Sequence, residues 1–248
     1  MASLDSGQYS RKEIEKYEAI YGHNFVSPGG LATTQEFCAM LDLHDGMGVL
    51  DVGCGLGGAA FYMAEHFAAQ VDGLDLSSNM LAFAHERCAS LGLSDRVHLI
   101  HGDILEFQPA APYARIYSRD VFLHIQDKAR LFTTLYRCLQ PGGKLLFTDY
   151  CCGEEEKSEE FADYIQQRQY ALCTVAEYGG LLQQAGFVNV QAADRTAQFI
   201  EILYEEAARL PQTSLDPASK AALQESWQSK IARSQRGEQR WGLFQAQR

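Results

Sequence analysis

The sequence predicts one α/β domain in which a mostly parallel, seven-stranded sheet carries helices on both faces. Its 248 residues suit a single domain of this class. Short apolar segments alternate with helical ones through the middle of the chain, and repeated βα units build parallel sheets. A glycine-rich stretch, residues 51–58, follows the first apolar segment and opens the first helix of this series.

The individual elements follow from apolar runs, helical periodicity and capping residues. The predicted strands are 48–51, 71–75, 97–102, 114–118, 144–150, 187–192 and 243–247. The predicted helices are 58–67, a serine-capped segment from 77 or 78 to about 92, 127–139, and a segment from the capping box of Thr174 and Glu177 to Gly186. A Pro-Gly-Gly turn at 141–143 separates the third of these helices from the fifth strand.

Three parts of the chain do not fit the βα alternation. We expect residues 1–44 to form an N-terminal helical cap on a cofactor-binding core over 45–150. Residues 151–173 and 199–239 are predicted to be insertions that cover the substrate, all within one domain of residues 1–248. The carboxyl edge of an open α/β sheet is where ligands bind, and the insertions are expected there.

Composition and charge exclude several classes of function. The net charge is −11, whereas a nucleic-acid-binding protein needs a basic surface to contact phosphates. No apolar run is long enough to span a bilayer, and none follows the polar N-terminus as in a signal peptide. The seven cysteines form no C-x-x-C pair and no cluster with metal-ligand spacing, so we expect a cytoplasmic protein without a metal.

The glycine-rich stretch, DVGCGLGG, indicates a nucleotide-like cofactor but not which one. Its glycines match G-x-G-x-x-G through Gly53, Gly55 and Gly58, which is typical of nicotinamide cofactors. Read from Asp51, it equally matches D-x-G-x-G-x-G, the loop of class I S-adenosylmethionine (SAM) methyltransferases. A glycine-rich turn without a ligand is the third alternative, and the glycines alone do not decide.

Acidic residues after the next two strands favour the SAM alternative. Asp75 ends the second strand, where a carboxylate accepts hydrogen bonds from ribose hydroxyls with either cofactor. Asp103 follows the third strand, where a carboxylate suits the adenine amino group. The Leu-Gln-Pro-Gly-Gly-Lys turn before the fifth strand also resembles methyltransferases.

Longer motifs resemble one family, the phosphoethanolamine N-methyltransferases, over nearly the whole chain. The motifs are QY (residues 8–9) with KYEAIYGHNFVSPGG, DVGCGLGGAAFYM, GLDLSSNM, IYSRDVFLHI, TDYC, YIQQRQY and SWQSKI with QRWGLF. The chain is most like the single-domain protozoan form of that family. The resemblance implies a class I SAM-dependent methyltransferase fold with helical lid segments. It implies SAM as the cofactor and a small phosphobase as the substrate.

The resemblance also implies roles for individual residues. The implied cofactor-binding residues are Val26, Ser27, Asp51, Gly53, Gly55, Asp75, Leu76, Asp103, Ile104 and Arg119. The implied substrate-binding residues are Gln8, Tyr9, Tyr17, Asp120, Tyr150, Tyr164, Arg168, Tyr170 and Lys230. The implied catalytic residues are His124, Tyr9 and Asp120. The segment 193–226 diverges from the family.

These residue types suit methyl transfer to an amine. The amine must lose a proton before it can attack, and His124, with an ordinary pKa near 6.5, is the candidate base, with Tyr9 as its partner. Asp120 can accept from the substrate ammonium, or it can be a helix cap. Arg168 and Lys230 are candidate phosphate ligands among tyrosines, or solvated cations on ordinary helices.

The predicted function is therefore N-methylation of phosphoethanolamine and its mono- and dimethyl forms towards phosphocholine, for phosphatidylcholine synthesis. The alternatives are a methyltransferase for another small nucleophile and a non-catalytic SAM-binding protein.

Tyr17 can contact a methylated ammonium, whereas Tyr21, four residues later, is expected in the core. We expect a monomer that binds neither nucleic acid nor the membrane interior.

Overall fold

The computed structural model describes residues 11–248, so Gln8 and Tyr9 lie outside the described residues. Its strands are β1 (Gly48–Val52), β2 (Gln70–Asp75), β3 (Val97–His101), β4 (Tyr113–Arg119), β5 (Leu139–Cys152), β6 (Val188–Asp194) and β7 (Gln239–Gln247). Its helices are α1 (Arg11–Tyr21), α2 (Gly30–Ala39), α3 (Gly58–Phe67), α4 (Ser78–Ser90), α5 (Lys128–Cys138), α6 (Glu159–Arg168), α7 (Val175–Gln184), α8 (Thr196–Arg209) and α9 (Pro217–Gln235). Single 3₁₀ turns occupy Phe122–His124 and Leu210–Gln212.

The seven strands form one sheet in the order β3-β2-β1-β4-β5-β7-β6. Strands β1 to β5 run parallel, and β7 runs antiparallel between β5 and β6. This confirms the predicted fold class. The strand order reverses between β1 and β4, so the helices that follow these two strands, α3 and α5, pack on opposite faces and a crevice is left at the carboxyl edge.

Alternating side chains give the sheet one apolar core on each face. In β5, Leu145 and Phe147 join the core formed with α5 and α7, whereas Leu146 joins the core on the opposite face. That opposite core contains apolar residues of α2, α3, α4, α8 and α9. Trp241 of β7 and Trp227 of α9 are buried in it. The helices of the N-terminal region and of the second predicted insertion thus pack on the same face as α3.

Three helix caps are observed, of which those at Ser77 and Thr174 were predicted. The Ser77 hydroxyl accepts from the amide of Met80, and the Asp127 side chain accepts from the amide of Arg130. Thr174 and Glu177 form the complete capping box that opens α7. Each cap satisfies amides that the first turn of a helix leaves without a backbone partner.

The third predicted helix, 127–139, is confirmed to within one residue at each end, whereas the predicted starts of the fifth and last strands are wrong by several residues. The chain pairs with β4 at Leu139 and again from Lys144, so the Pro-Gly-Gly residues form a bulge within β5 instead of a turn before it. The last strand begins at Gln239 instead of residue 243, because all nine of its residues pair with β5. Pairing partners far along the chain decide both boundaries, and local sequence patterns do not report them.

The two segments that were predicted to be insertions, 151–173 and 199–239, contain helices. The stretch 151–173 begins with two residues of β5 and contains α6, and the stretch 199–239 contains most of α8 and all of α9. Within residues 11–248, no helix is both long enough and apolar enough to cross a membrane.

Candidate functional site

A cavity of about 880 Å³ opens at the carboxyl edge of the parallel strands. Its volume is within the range of small-molecule sites. The predicted residues that line it are Tyr17, Val26, Ser27, Gly53, Gly55, Asp75, Leu76, Asp103, Ile104, Arg119, Asp120, His124, Tyr150, Tyr164, Arg168, Tyr170 and Lys230. The fold therefore brings together residues that lie far apart along the chain, from Tyr17 to Lys230.

The glycine-rich loop is tied to the end of β2 by Asp75. One carboxylate oxygen of Asp75 accepts from the Gly55 amide and the other from the Ser77 amide, each at 2.8 Å. Gly53 has φ 74°, and a Cβ added there would lie 2.3 Å from Cγ2 of Val121. The loop after β1 therefore packs directly against the loop after β4, and only glycine fits at this contact.

Asp51 was predicted to bind the cofactor, but its side chain is not part of the cavity lining. Its neighbours Leu50 and Val52 point into the core with α5 and α7, so the period-two alternation of β1 turns Asp51 toward the opposite face. Burial and the nearby Asp75 raise its pKa to about 7, while the Arg119 cation opposes that rise. The carboxyl group is therefore buried beneath the cavity, near Asp75 and Arg119.

The turn at 26–30 forms another wall of the cavity and is held from two sides. Arg119 donates to the carbonyl of Pro28 at 2.6 Å and to the hydroxyl of Thr33 at 2.7 Å. Glu206 of α8 accepts from the Gly29 amide at 2.8 Å. Val26 and Ser27 therefore face the cavity on a turn that is held by two buried ionisable side chains, Arg119 and Glu206.

Asp120 is held in an uncommon backbone conformation at the end of β4. Its φ is 55°, and its amide donates to the carbonyl of Thr148 at 2.8 Å. One carboxylate oxygen accepts from the indole of Trp241 at 2.8 Å and from the hydroxyl of Thr148 at 3.1 Å. No donor within residues 11–248 reaches the other oxygen. Asp120 does not cap the following 3₁₀ turn.

His124 ends that 3₁₀ turn and is exposed to the interior of the cavity. Its ring meets the ring of Tyr170 edge to face, with 5.2 Å between the centroids. The surrounding walls desolvate the imidazole, and the cations of Lys128 and Arg168 add to this effect, so its pKa falls to about 4. This value lies below the ordinary pKa near 6.5 that was expected, and the direction of the shift favours the neutral imidazole.

The basic and tyrosine residues gather on the opposite side of the cavity, where α6, α9 and β5 meet. Lys230 lies with Nζ 5.7 Å from the ring centroid of Tyr150, and the Arg168 guanidinium lies 5.8 Å from that of Tyr164. Burial raises the pKa of the Tyr150 hydroxyl well above its usual value, so it remains a donor. This side can bind an anion.

Two further aromatic residues line the cavity. Tyr21 was expected in the core; it does pack against the core, but it is half-buried and also faces the cavity. Trp227 of α9 was not predicted at all. The only signal for Tyr21 and Trp227 in the sequence was that both lie in motifs that resemble the family named in the sequence analysis. Within the described residues, no group of three or more metal-ligating side chains could hold a metal ion.

Comparisons with known proteins agree with this arrangement. A family model described as a methyltransferase domain matches residues 49–143. The chain is 36% identical to the phosphoethanolamine N-methyltransferase of Plasmodium falciparum, over 98% of this chain and 94% of that protein. It belongs to the phosphoethanolamine N-methyltransferase family. The resemblance predicted from the motifs is thereby confirmed.

Other members of the phosphoethanolamine N-methyltransferase family are longer. The Arabidopsis thaliana enzyme 3 is 46% identical over 99% of this chain and 51% of its own length. A structure of Haemonchus contortus enzyme 2, in complex with phosphomonomethylethanolamine and S-adenosylhomocysteine, superposes with a TM-score of 0.95 at 35% identity. It is matched over 99% of this chain and 59% of that chain. The chain spans about half the length of the plant relatives it matches.

Proposed function

We propose that this chain transfers the methyl group of SAM to the nitrogen of phosphoethanolamine and of its mono- and dimethyl forms, towards phosphocholine. One observation carries the proposal: a single cavity joins an acidic side, with Asp75 and Asp103, to a basic side, with Arg168 and Lys230. Asp120 and His124 follow β4, whose neighbours in the sheet are β1 and β5. They therefore lie between the end of β2, which carries Asp75, and β5, which carries Tyr150. The reacting nitrogen would be placed between the two sides.

The acidic side fits SAM. Asp75 faces the cavity while two amides fix its carboxylate, as a bidentate acceptor for ribose hydroxyls requires. Asp103 is fixed by the Leu105 amide at 2.9 Å and would accept from the adenine amino group. Gly55 lines the cavity without a side chain, so a ligand can approach its backbone closely.

The remaining cofactor contacts are assigned to the same walls. Gly53, Gly55 and Arg119 would hold the methionine end of SAM, and Leu76, Ile104, Val26 and Ser27 would enclose the adenosine. When bound, SAM supplies a methyl group on a positively charged sulfur. Asp51 would act only through the loop above it.

The substrate amine must become neutral before it attacks. An alkylammonium has a pKa near 10, so only about a thousandth of it is neutral at pH 7. The neutral imidazole of His124 would accept the proton, and the open oxygen of Asp120 would accept a hydrogen bond from the amine. Tyr9, which lies outside the described residues, is assigned as the partner of His124.

The basic side would bind the phosphate. Arg168 offers a planar pair of donors and Lys230 a single ammonium, with hydroxyl donors from Tyr150, Tyr164 and Tyr170 around them. Tyr17 lies in the same wall, and Gln8 is assigned to it from the family motif. Burial raises the pKa of the Tyr17 hydroxyl, which keeps it a donor.

The proposal includes the organisation of the chain. Residues 1–44 would be a helical cap on the SAM-binding core of 45–150, and 151–173 and 199–239 would cover the substrate. We propose a cytoplasmic monomer; all seven cysteines are unpaired, as a reducing compartment requires.

A methyl-transfer assay with purified protein tests the proposal. Phosphoethanolamine and its mono- and dimethyl forms should be methylated, whereas ethanolamine should react poorly because it lacks the phosphate. Equal rates for ethanolamine and phosphoethanolamine would favour a methyltransferase for another small amine. Binding of SAM without transfer to any of them would favour a non-catalytic SAM-binding protein.

A further inference from the structure

A buried lysine lies beneath the turn that carries His124. Lys128 is the first residue of α5, and only 7% of its surface is exposed. Its ammonium donates to the carbonyls of Phe122 at 2.7 Å, Ile125 at 2.6 Å and Ala171 at 2.7 Å. An ammonium has three donors, so all of them are used on backbone carbonyls.

These carbonyls belong to two separate walls of the cavity. Phe122 and Ile125 bracket His124 in the loop after β4, whereas Ala171 immediately follows Tyr170 after α6. The Ala171 amide also donates to the carbonyl of Leu123 at 2.7 Å. Lys128 thus joins the segment of His124 to the segment of Tyr170, whose rings are in contact.

A second buried ionisable group lies close to the same turn. Asp149 of β5 accepts from the hydroxyl of Tyr178 at 2.5 Å, and the neighbouring backbone of Leu123 in the turn lowers its pKa. The Tyr178 ring centroid lies 5.7 Å from Nζ of Lys128. Burial raises the pKa of the Asp149 carboxyl and lowers that of the Lys128 ammonium, whereas each charge favours the charged form of the other.

We propose that Lys128 is a positioning residue whose ammonium holds His124 in the cavity by clamping its turn to the segment that carries Tyr170. The consequence for turnover rests on the proposed function, whereas the clamp itself does not. Burying an ammonium costs free energy even when all of its donors are hydrogen-bonded. The buried Lys128 ammonium in turn fixes three carbonyls in one geometry. An apolar side chain of similar length would leave those carbonyls without this partner.

The charge of Lys128 has a second effect on the same ring. The groups that face His124 are Lys128, Arg168 and Tyr170, with Asp120 and Tyr164 in the adjoining walls. Lys128 and Arg168 are the cations among them, and they disfavour the imidazolium. Removing the Lys128 charge should therefore make His124 easier to protonate, while displacement of the turn should separate the two rings.

NMR of histidine- and tyrosine-labelled protein tests the clamp without requiring activity. His124→Gln assigns the His124 signals in the wild-type spectrum. In Lys128→Met, the His124 titration midpoint should rise by about half a pH unit or more, and its ring contact with Tyr170 should weaken. Lys144→Met, which removes a partly exposed lysine of β5 that pairs with Asp42, is the control and should leave both signals unchanged.

Turnover gives the second readout. Lys128→Met should lower kcat at least about tenfold at neutral pH, with S-adenosylhomocysteine affinity nearly unchanged, because a misplaced base is costly. Lys128→Arg keeps the charge but not the three-carbonyl geometry, so kcat should fall while the His124 midpoint stays near its wild-type value. If Lys128→Met does not fold, Lys128→Arg decides.

Three results are possible in these assays. A folded Lys128→Met protein with wild-type His124 signals and wild-type kcat would overturn the clamp, as would wild-type kcat and ring contact in Lys128→Arg. If the wild type methylates no phosphobase, the proposed function fails, and the NMR signals alone still decide for or against the clamp. Changed signals in Lys128→Met with an unchanged control support it.

Discussion

The Asp75 carboxylate accepts two backbone amides and still lines the cavity, so the same group shapes the glycine loop and faces the proposed ribose. We predict that Asp75→Ala weakens S-adenosylhomocysteine binding by about 2–3 kcal/mol, the usual size for hydrogen bonds to a charged group. Isothermal titration calorimetry measures it. Asp45→Ala, at an exposed acid before β1, is the control. Wild-type affinity in a folded Asp75→Ala protein would remove the ribose assignment.

His124 determines how the proposed reaction depends on pH. A base works only when it is deprotonated, and the pKa of His124 is lowered to about 4, so kcat should stay level as the pH falls through 6.5 and decline only near that lower value. His124→Ala should lower kcat by about 10²–10⁴-fold with little change in S-adenosylhomocysteine affinity.

Single-turnover methyl transfer at several pH values checks both statements. His98→Ala, at an exposed histidine of β3, is the matched control. A wild-type decline centred near 6.5 would assign the titration to another group. Unchanged turnover in His124→Ala would leave Asp120 and desolvation as the account of amine activation.

Lys230 and Arg168 define the other half of the site. Lys230→Met and Arg168→Gln should each raise KM for phosphoethanolamine by roughly 10- to 100-fold, because each removes a charge-assisted contact worth about 1.5–3 kcal/mol. The affinity for S-adenosylhomocysteine should barely change. Lys220→Met, at a partly exposed lysine on the same helix, is the control for Lys230. Unchanged KM in both variants would place the phosphate elsewhere.

At the scale of elements, the sequence predicts the βα core well and the covering helices poorly. The core strands are short apolar runs, and the caps at Ser77 and Thr174 are local signals, so both are readable. Helix α9 has mixed polar residues on most sides and was not predicted, because its burial depends on contacts with α8 and β7. The same holds for Tyr21 and Glu206, whose roles come from partners far along the chain.

The contact between two loops gives a prediction at this scale. Ala at Gly53 would have a disfavoured positive φ and would clash with Val121. We predict that Gly53→Ala lowers the unfolding free energy and S-adenosylhomocysteine affinity, with the backbone strain alone worth about 1–2 kcal/mol. Adding Val121→Ala should recover only the steric part. Denaturant unfolding and calorimetry of the wild type, the two single variants and the double variant separate the steric contribution from the backbone contribution. Full recovery of stability in the double variant would show that the positive φ of residue 53 has no free-energy cost.

At the scale of the whole molecule, the fold buries carboxyl groups, and burial keeps them protonated to a higher pH than usual. Burial raises the pKa of Glu206 to about 7, partly offset by the Gly29 amide and by Lys230. Its unfolded pKa is near 4.3, so the folded state binds more protons between these values and stability falls as the pH rises through this window. Glu206→Gln removes this loss while keeping an acceptor for Gly29.

We compare the unfolding free energy of Glu206→Gln with that of the wild type at two pH values. We predict that the difference, variant minus wild type, is about 1–3 kcal/mol larger at about pH 8 than at about pH 5. Urea denaturation of the ligand-free proteins measures it. Glu205→Gln, at the exposed neighbour on α8, should show no such pH dependence. An equal difference at both pH values would mean that Glu206 is ionised throughout.

Strand β7 has a consequence for the order in which the molecule matures. It pairs with β5 on one side and β6 on the other, and its Trp241 holds Asp120. While a ribosome still retains these residues, the parallel strands have an open edge and Asp120 lacks its indole partner. Insertion of β7 therefore covers the edge of β5 and supplies the indole partner of Asp120 in the same event, so the protection of that strand edge and the fixing of Asp120 are coupled during synthesis.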